Sequence, residues 1–483
     1  MRFNIIVSIL ALLHGFIIAN AQILDVPPSA GKVLVLGSGG FLGKYLVREL
    51  SLNGYDIVEV RNRSHVDLRD PVALDRFFAT EESVWGVPAA DSPTPDSRFL
   101  NVSFCYFLAC EVGGSKFIDS SHATTLTSIL DHNVQIYHSV FPWLHRERVP
   151  FLFISSVLES ERSPYGAVKR LGESWVSSLS SVSPKRLLSN ANASPHDGVS
   201  PHDGASPHDG AVVSDVPLGR TVRLWNIFGR ERIGPKSHVL ADWMYKCLKL
   251  GRVVALTDGR ESRRFLHAID ASRALRLLMQ HYSLADDVTD VSGFDGARIV
   301  ANLAIPVQRA AFDVRAAFEA RNAARLRAES RSVPPTHFAS SVDATASEKE
   351  NAVKENERCR FEFAPMGAAS RGVVEPRTMR TALVRRIGWE PIVAFDAGLL
   401  DLATAVMDAI SSSAMSSGVS NDKESNEKER SEKERSGPVV VELSLEKRPD
   451  TALFAGFRPI RFGGGAPTAG SAVRGGVVSK DEL

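Results

Sequence analysis

An apolar run, KVLVL (32–36), passes directly into GSGGFLG (37–43) and then into a stretch of helical period over 41–53. No other feature of the 483 residues restricts the fold as much. Gly37 permits the tight turn, Gly40 lets the backbone approach a pyrophosphate, and Gly43 allows the helix to lie close on the strand. The exposed N–H groups and the dipole at the helix start favour an anion there. A buried strand that turns through glycines into a helix belongs to open α/β sheets.

The remaining pattern agrees. YDIVEV (55–60), FCYFLA (104–109), PFLFIS (150–155) and TVRLWNI (221–227) are apolar runs of strand length, and 121–145 and 165–179 are helical candidates between them. Alternation of this kind predicts α/β architecture, a Rossmann-like doubly wound parallel sheet, with a smaller C-terminal α/β substrate lobe. We assign 31–182 with 219–235 to the dinucleotide domain and 236–324 with 359–411 to the substrate lobe. SPHDG recurs at 194–198, 200–204 and 206–210 with Asp-Gly closing each copy, so 183–218 reads as a disordered insertion; its histidines (His196, His202, His208) read as repeat expansion, and no metal is assigned. Residues 325–358 read as a second insertion and 412–483 as a flexible tail. Setting these and residues 1–21 aside leaves about 320 residues, enough for a full core.

Lys and Arg total 57 against 56 Asp and Glu, a net charge of +1, which argues against a nucleic-acid binder. Four cysteines are too few for a disulfide scaffold, and Cys105 and Cys110, in or beside an apolar strand, read as buried and inert. Beyond the first residues no stretch approaches the length of a membrane span, so no stable membrane insertion is expected. Met1-Arg2, the apolar run Ile5 to Ile18 and Ala19-Asn20-Ala21 have the layout of a secretory signal peptide over 1–21. Lys480-Asp481-Glu482-Leu483 has the form of the retrieval signal read by the KDEL receptor. Together they predict residence in the lumen of the endoplasmic reticulum. Asn62, Asn101 and Asn192 then head glycosylation sequons; we expect Asn192 to be used and Asn62 to be empty, because a glycan there collides with the cofactor pocket.

The end of the second strand decides between dinucleotides. An acid there bonds the ribose 2′-hydroxyl, whereas arginine suits a 2′-phosphate. Arg61, with Arg63 behind it, favours NADP over NAD; Glu59 is the ribose ligand if the register differs. Further on, SPYGAVK (163–169) puts Tyr165 and Lys169 on one helical face. An ammonium beside a phenol lowers its pKa, and the phenol can then exchange a proton with a substrate hydroxyl as hydride moves. Ser156, at the end of FISSV (153–157), can donate to the same oxygen.

These motifs resemble those of the extended short-chain dehydrogenase/reductase superfamily, in particular the NAD(P)-dependent sugar-nucleotide epimerase/dehydratase family, over about 31–400. The resemblance implies a cofactor site of Gly37, Gly40, Phe41, Leu42, Gly43, Arg61, Asp67, Leu68, Leu108, Ala109 and Lys169, and a catalytic set of Ser156, Tyr165 and Lys169. It implies substrate contacts from Asn226, His238 and Arg263, the last to a nucleotide diphosphate. It also implies a structural role for Asn133, a closing motif at IGWEP (387–391), and a homodimer through the helices 121–145 and 165–179. The chain departs from the dehydratases, because Val157 and Leu158 after Ser156 cannot move a proton. It resembles GDP-fucose synthases at KSHVLADW (236–243), where His238 would be an acid, but their catalytic cysteine has no counterpart at the Val-Leu pair. His238 stays open between an acid, a substrate contact and a satisfied polar residue.

The reading is an NAD(P)-dependent enzyme, an epimerase-type oxidoreductase acting on a nucleotide sugar. A second reading is an NADPH-dependent reductase or dehydrogenase of a sugar or small carbonyl. A third is a dinucleotide-binding module without turnover.

Overall fold

The computed structural model describes residues 31–84, 102–118, 123–180, 217–292, 298–331, 359–365, 387–417 and 443. The leader, the SPHDG insertion, the sequons at Asn101 and Asn192 and the C-terminal tetrapeptide lie outside them. Five parallel strands follow the predicted alternation: β1 (Lys32–Leu36), β2 (Ile57–Val60), β3 (Val102–Phe107), β4 (Phe151–Ser156) and β5 (Gly219–Leu224). Strands β6 (Asn226–Phe228), β7 (Arg252–Val254), β8 (Ser262–Arg263), β9 (Phe265–His267), β10 (Val288–Val291), β11 (Arg298–Ile299) and β12 (Arg360–Glu362) complete the set. The longer helices are α1 (Phe41–Leu52), α2 (Ala73–Val84), α3 (Ala123–Arg146), α4 (Pro164–Ser180), α5 (Val239–Leu250), α6 (Ala268–Gln280), α7 (Ala304–Arg331) and α8 (Phe395–Ser417). The main sheet has the order β10-β5-β4-β3-β1-β2 and is parallel throughout. The strand order reverses between β1 and β3, and a crevice opens at such a point at the carboxyl ends of the strands.

Both faces of the sheet are covered, so its strands are apolar at nearly every position rather than at alternate ones. Val33, Val35, Phe104, Tyr106, Leu152 and Ile154 pack toward α1 and α6, while Leu34, Leu36, Cys105, Phe107, Phe151 and Phe153 pack toward α3 and α4. The register brings Leu36 level with Val60 and Phe107, and Ser156 level with Leu224. The residues that follow these strand ends therefore share one rim. At the opposite end Ser180 Oγ donates to the Gly219 carbonyl (2.7 Å), so the two sides of the SPHDG insertion are bonded together away from that rim.

Several boundaries differ from the sequence reading. The segment 221–227 is not one strand: β5 ends at Leu224, and β6 leaves the sheet to pair with β9. Residues 268–291, assigned above to the substrate lobe, return to the main sheet. Helix α6 lies against α1, with Arg276 bonded to Glu49 at 2.8 Å, and β10 pairs with β5. The polar Thr289 and Asp290, both buried, disguise β10 in the sequence. Helix α7 runs to Arg331, inside the expected second insertion, because its Ala- and Arg-rich end has high intrinsic helix propensity without needing an apolar stripe. The expected tail from 412 is also shortened: α8 continues to Ser417, and Leu443 is buried in the lobe core.

That second core joins α5, α7 and α8. A disulfide between Cys247 and Cys359 ties α5 to the residue before β12 (Cα–Cα 5.2 Å), a pairing the cysteine count did not suggest. The closing motif is structural: Trp389 Nε1 donates to the Asp270 carbonyl (3.0 Å), and the Asp270 carboxylate accepts from Ile392 N (2.9 Å) and Val393 N (3.0 Å). No helix among the described residues is long and apolar enough to cross a membrane.

Candidate active site

A cavity of about 490 Å³ lies along the carboxyl rim of β1 to β5. Its first wall is the glycine turn. Gly37 has φ +90°, and a Cβ there would stand 2.8 Å from Ala109 N, while one at Gly43 would stand 2.2 Å from the Gly37 carbonyl oxygen. Gly40 precedes α1 and supplies no side-chain cap, leaving N–H groups of the first turn for a ligand. A turn packed this closely through glycines, opening a helix start on the cavity wall, fits the pyrophosphate of a dinucleotide.

All eleven residues expected at the cofactor line this cavity: Gly37, Gly40, Phe41, Leu42, Gly43, Arg61, Asp67, Leu68, Leu108, Ala109 and Lys169. Arg63 and Arg69 join them, whereas Glu59 is not among the lining residues and instead accepts from Arg61 Nε (3.3 Å). Hydrogen bonds from Arg69, the nearer at 2.5 Å, hold the Asp67 carboxyl down at about 2. Asn62 also lines the cavity, with its Oδ1 accepting from His65 N (3.1 Å). The loop after β3 is clamped by the fully buried Asn133, whose Oδ1 accepts from Glu111 N (2.8 Å) and whose Nδ2 donates to the Glu111 carbonyl (3.0 Å).

The catalytic set meets on the same cavity. Ser156 ends β4 and caps the 3-10 turn Val157–Ser160, its Oγ accepting from Leu158 N (3.2 Å), and it lines the cavity together with Tyr165. Tyr165 and Lys169 share a face of α4, and Lys169 Nζ donates to the Ile154 carbonyl (2.8 Å) and lies 5.6 Å from the Tyr165 ring centroid. The neighbouring Ser155 turns elsewhere and donates to Glu173 (2.5 Å), which in turn receives Arg223 (2.9 Å). Burial pushes the Tyr165 phenol above its ordinary value, further than Lys169 and Ser156 draw it back. The net lowering expected from the ammonium is therefore reversed, because burial outweighs it. Burial also opposes the Lys169 charge, but Cys110, Tyr165 and Tyr137 around it reverse the direction to an upward shift.

Of the expected substrate residues, Asn226 and His238 line the cavity and Arg263 does not. Ser262 and Arg263 are committed to an antiparallel pair with Arg298–Ile299, and Arg263 Nη1 donates to the Ser262 carbonyl (3.3 Å). Cys110 is also corrected. It lines the cavity rather than the core interior, with Sγ directed to the Glu111 carbonyl (3.7 Å), while burial pushes its thiol up, in keeping with an inert group. Its position just past the end of β3 is the signal that could have shown this. Glu231, which holds His238, and Glu173 carried no motif and were missed.

The sequence matches no curated protein. Residues 33–101 and 219–292 match the model of the NAD dependent epimerase/dehydratase family. Among solved structures the chain is similar to a GDP-L-fucose synthetase from Naegleria fowleri, at 13% identity over 79% of this chain and 95% of that one (TM-score 0.49). It is similar to the epimerase Mth375 from Methanothermobacter thermautotrophicus at 14% identity, over 82% and 98% (TM-score 0.48). It is also similar to a UDP-glucose 4-epimerase from Thermus thermophilus at 14% identity, over 78% and 99% (TM-score 0.44).

Proposed function

We propose that this chain, a member of the NAD dependent epimerase/dehydratase family, is an epimerase-type oxidoreductase acting on a nucleotide sugar in the lumen of the endoplasmic reticulum, with NADP the favoured dinucleotide. The observation that carries the reading is the convergence of Ser156, Tyr165 and Lys169 on the cavity that the glycine turn opens. A bound nicotinamide supplies the acceptor and donor of hydride. Tyr165 takes the proton of the substrate hydroxyl and later returns it, Ser156 holds the reacting oxygen, and the Lys169 ammonium stabilises the phenolate. Val157 and Leu158 line the cavity beside Ser156 and help to exclude water.

The cofactor preference rests on Arg61, Arg63 and Arg69 along the wall beyond β2. The Cys247–Cys359 disulfide suits an oxidising lumen and supports the location read from the termini. The exposed Leu130 and Val134 on α3 and Leu171 on α4 support a homodimer through those helices. A second reading, an NADPH-dependent reductase of a sugar or small carbonyl, is favoured by the same arginines and by Arg263 standing off the cavity.

Tyr165→Phe should lower turnover on a panel of UDP- and GDP-hexoses by about 10²- to 10⁴-fold while leaving NADPH affinity intact. An unchanged rate removes Tyr165 as the proton carrier and with it this reading. Nicotinamide absorbance separates the two enzymes: it stays level during epimerisation and changes in proportion to product in a net reduction.

A further inference from the structure

The reacting groups ride on two elements, the end of β4 with Ser156 and the first turns of α4 with Tyr165 and Lys169, joined through the 3-10 turn Val157–Ser160. Turn and helix meet closely: a Cβ at Gly166, next to Tyr165, would stand 2.6 Å from the Leu158 carbonyl oxygen. Arg170, further along α4, donates to the Glu159 and Glu161 carbonyls, the latter at 2.8 Å. Behind this junction stands Arg223 on β5, level with Ser155 of β4. Its guanidinium grips Glu173 of α4 with two bonds, Nε to Oε1 (2.9 Å) and Nη2 to Oε2 (2.5 Å), and Nη2 lies 3.3 Å from Oε1 of Glu159 in the turn. Ser155 Oγ donates to Glu173 Oε1 (2.5 Å) and Ser160 N to Glu159 Oε2 (2.7 Å), so each oxygen of both carboxylates faces a donor.

Resting on the oxidoreductase reading above, we infer that Arg223 is a positioning residue: one guanidinium holds the strand end, the turn and the catalytic helix in fixed relation, and so brings Ser156 and Tyr165 to the same substrate oxygen. The side chains of Arg223, Glu173 and Glu159 are 19%, 13% and 6% exposed, and none of the three lines the cavity, so the cluster acts through the groups that do. Charges taken this far from water are costly unless close geometry and hydrogen bonds compensate them, and here the compensation spans three elements rather than one. A guanidinium suits the task. Its planar fork of N–H donors takes two carboxylates at set angles, whereas an ammonium meets each as a point charge. What Arg223 contributes is distance: a displacement of about 1 Å between reacting groups costs up to about 10²-fold in rate.

The test uses the full chain with NADPH and UDP- or GDP-hexoses. Arg223→Lys keeps the charge and removes the fork. It should lower kcat by about 10- to 100-fold and leave NADPH affinity nearly unchanged. In a Tyr165→Phe background the same substitution should cost little more, because the hydroxyl that it misplaces is already absent. Full turnover in Arg223→Lys overturns the inference. Losses that add in full in the double variant overturn it too, since they mark a residue that acts on stability alone. If Arg223→Lys does not fold, as judged by NADPH binding, Glu173→Gln replaces it with the same expectations and the same overturning results. Failure of the underlying reading is distinguishable: an unchanged rate in Tyr165→Phe alone sinks that reading, whereas full turnover in Arg223→Lys sinks only this inference.

Discussion

The rim that carries the glycine turn and the seam that joins the sheet to the second lobe are built from different materials. At the rim the geometry is backbone geometry: at Gly37 and Gly43 neighbouring backbone stands where a Cβ would collide, and beyond β2 the Arg61 side chain is 63% exposed. At the seam the geometry is held by buried charge. Arg230 donates to Asp401 at 2.9 and 2.5 Å, its backbone N–H donates to the Tyr45 phenol (2.7 Å), and His267 lies against the same cluster. A backbone-built site tolerates side-chain changes and fails at a glycine, whereas a charge-built seam fails at any one partner.

The seam should therefore show the largest single-residue effect. Arg230 and Asp401 are 8% and 5% exposed, and truncating Asp401 to Ala leaves a buried guanidinium without its carboxylate. Loss of one partner of such a pair costs about 3–5 kcal/mol, although an apolar replacement of both costs far less. Urea denaturation should show that loss for Asp401→Ala and recovery of most of it in Arg230→Met with Asp401→Leu. A loss under about 1 kcal/mol, the scale of an exposed pair, would erase the contrast with the rim.

A smaller effect at the seam depends on pH. Burial pushes His267 down to about 4, and its Nε2 is buried without a hydrogen-bond partner among the described residues. The unfolded chain binds the proton near the ordinary value of about 6.5, so between these values it is the unfolded state that holds more protons. Stability is then full above about pH 6.5 and falls as the pH drops toward 4, by about 3 kcal/mol at most. His267→Gln should flatten that slope in denaturation curves taken across the window. A slope of the same size in the variant assigns it to other groups.

The same contrast explains what could be read from sequence. A glycine required by close backbone approach has a fixed spacing, and Tyr165 and Lys169 share a helical face, so both were legible from local pattern. The eleven residues that the family resemblance implied for the dinucleotide, some of them outside these patterns, line one cavity. Partnerships across long separations leave no local trace: Arg230 with Asp401, Cys247 with Cys359 and Leu443 in the lobe core join residues whose neighbours in sequence say nothing about the pairing. Arg263, which the resemblance implied for a nucleotide diphosphate, is not among the residues lining the cavity. Its motif was visible, but the two-residue strand that commits it to Arg298–Ile299 is too short to show any periodicity. Strand β10 failed because buried Thr289 and Asp290 look like surface residues.

The smallest expected effect lies at the rim and tests which dinucleotide it was built for. Arg63 lies 3.5 Å from His132 and Arg69 is bound to Asp67, whereas Arg61 is tethered to Glu59, two residues back, through long bonds of 3.3 Å. A guanidinium in that position can pair with a 2′-phosphate and has nothing comparable to gain from a 2′-hydroxyl. Because Arg61 is largely solvated, its contribution is that of a screened ion pair, and Arg61→Ala should weaken NADP binding about tenfold or less while leaving NAD almost unchanged. Raising the salt concentration should shrink the difference, as it does for any solvated pair. Titration calorimetry with both dinucleotides reads the outcome. Equal losses for the two would mean that Arg61 meets a part they share, and discrimination would then pass to Arg63 and Arg69.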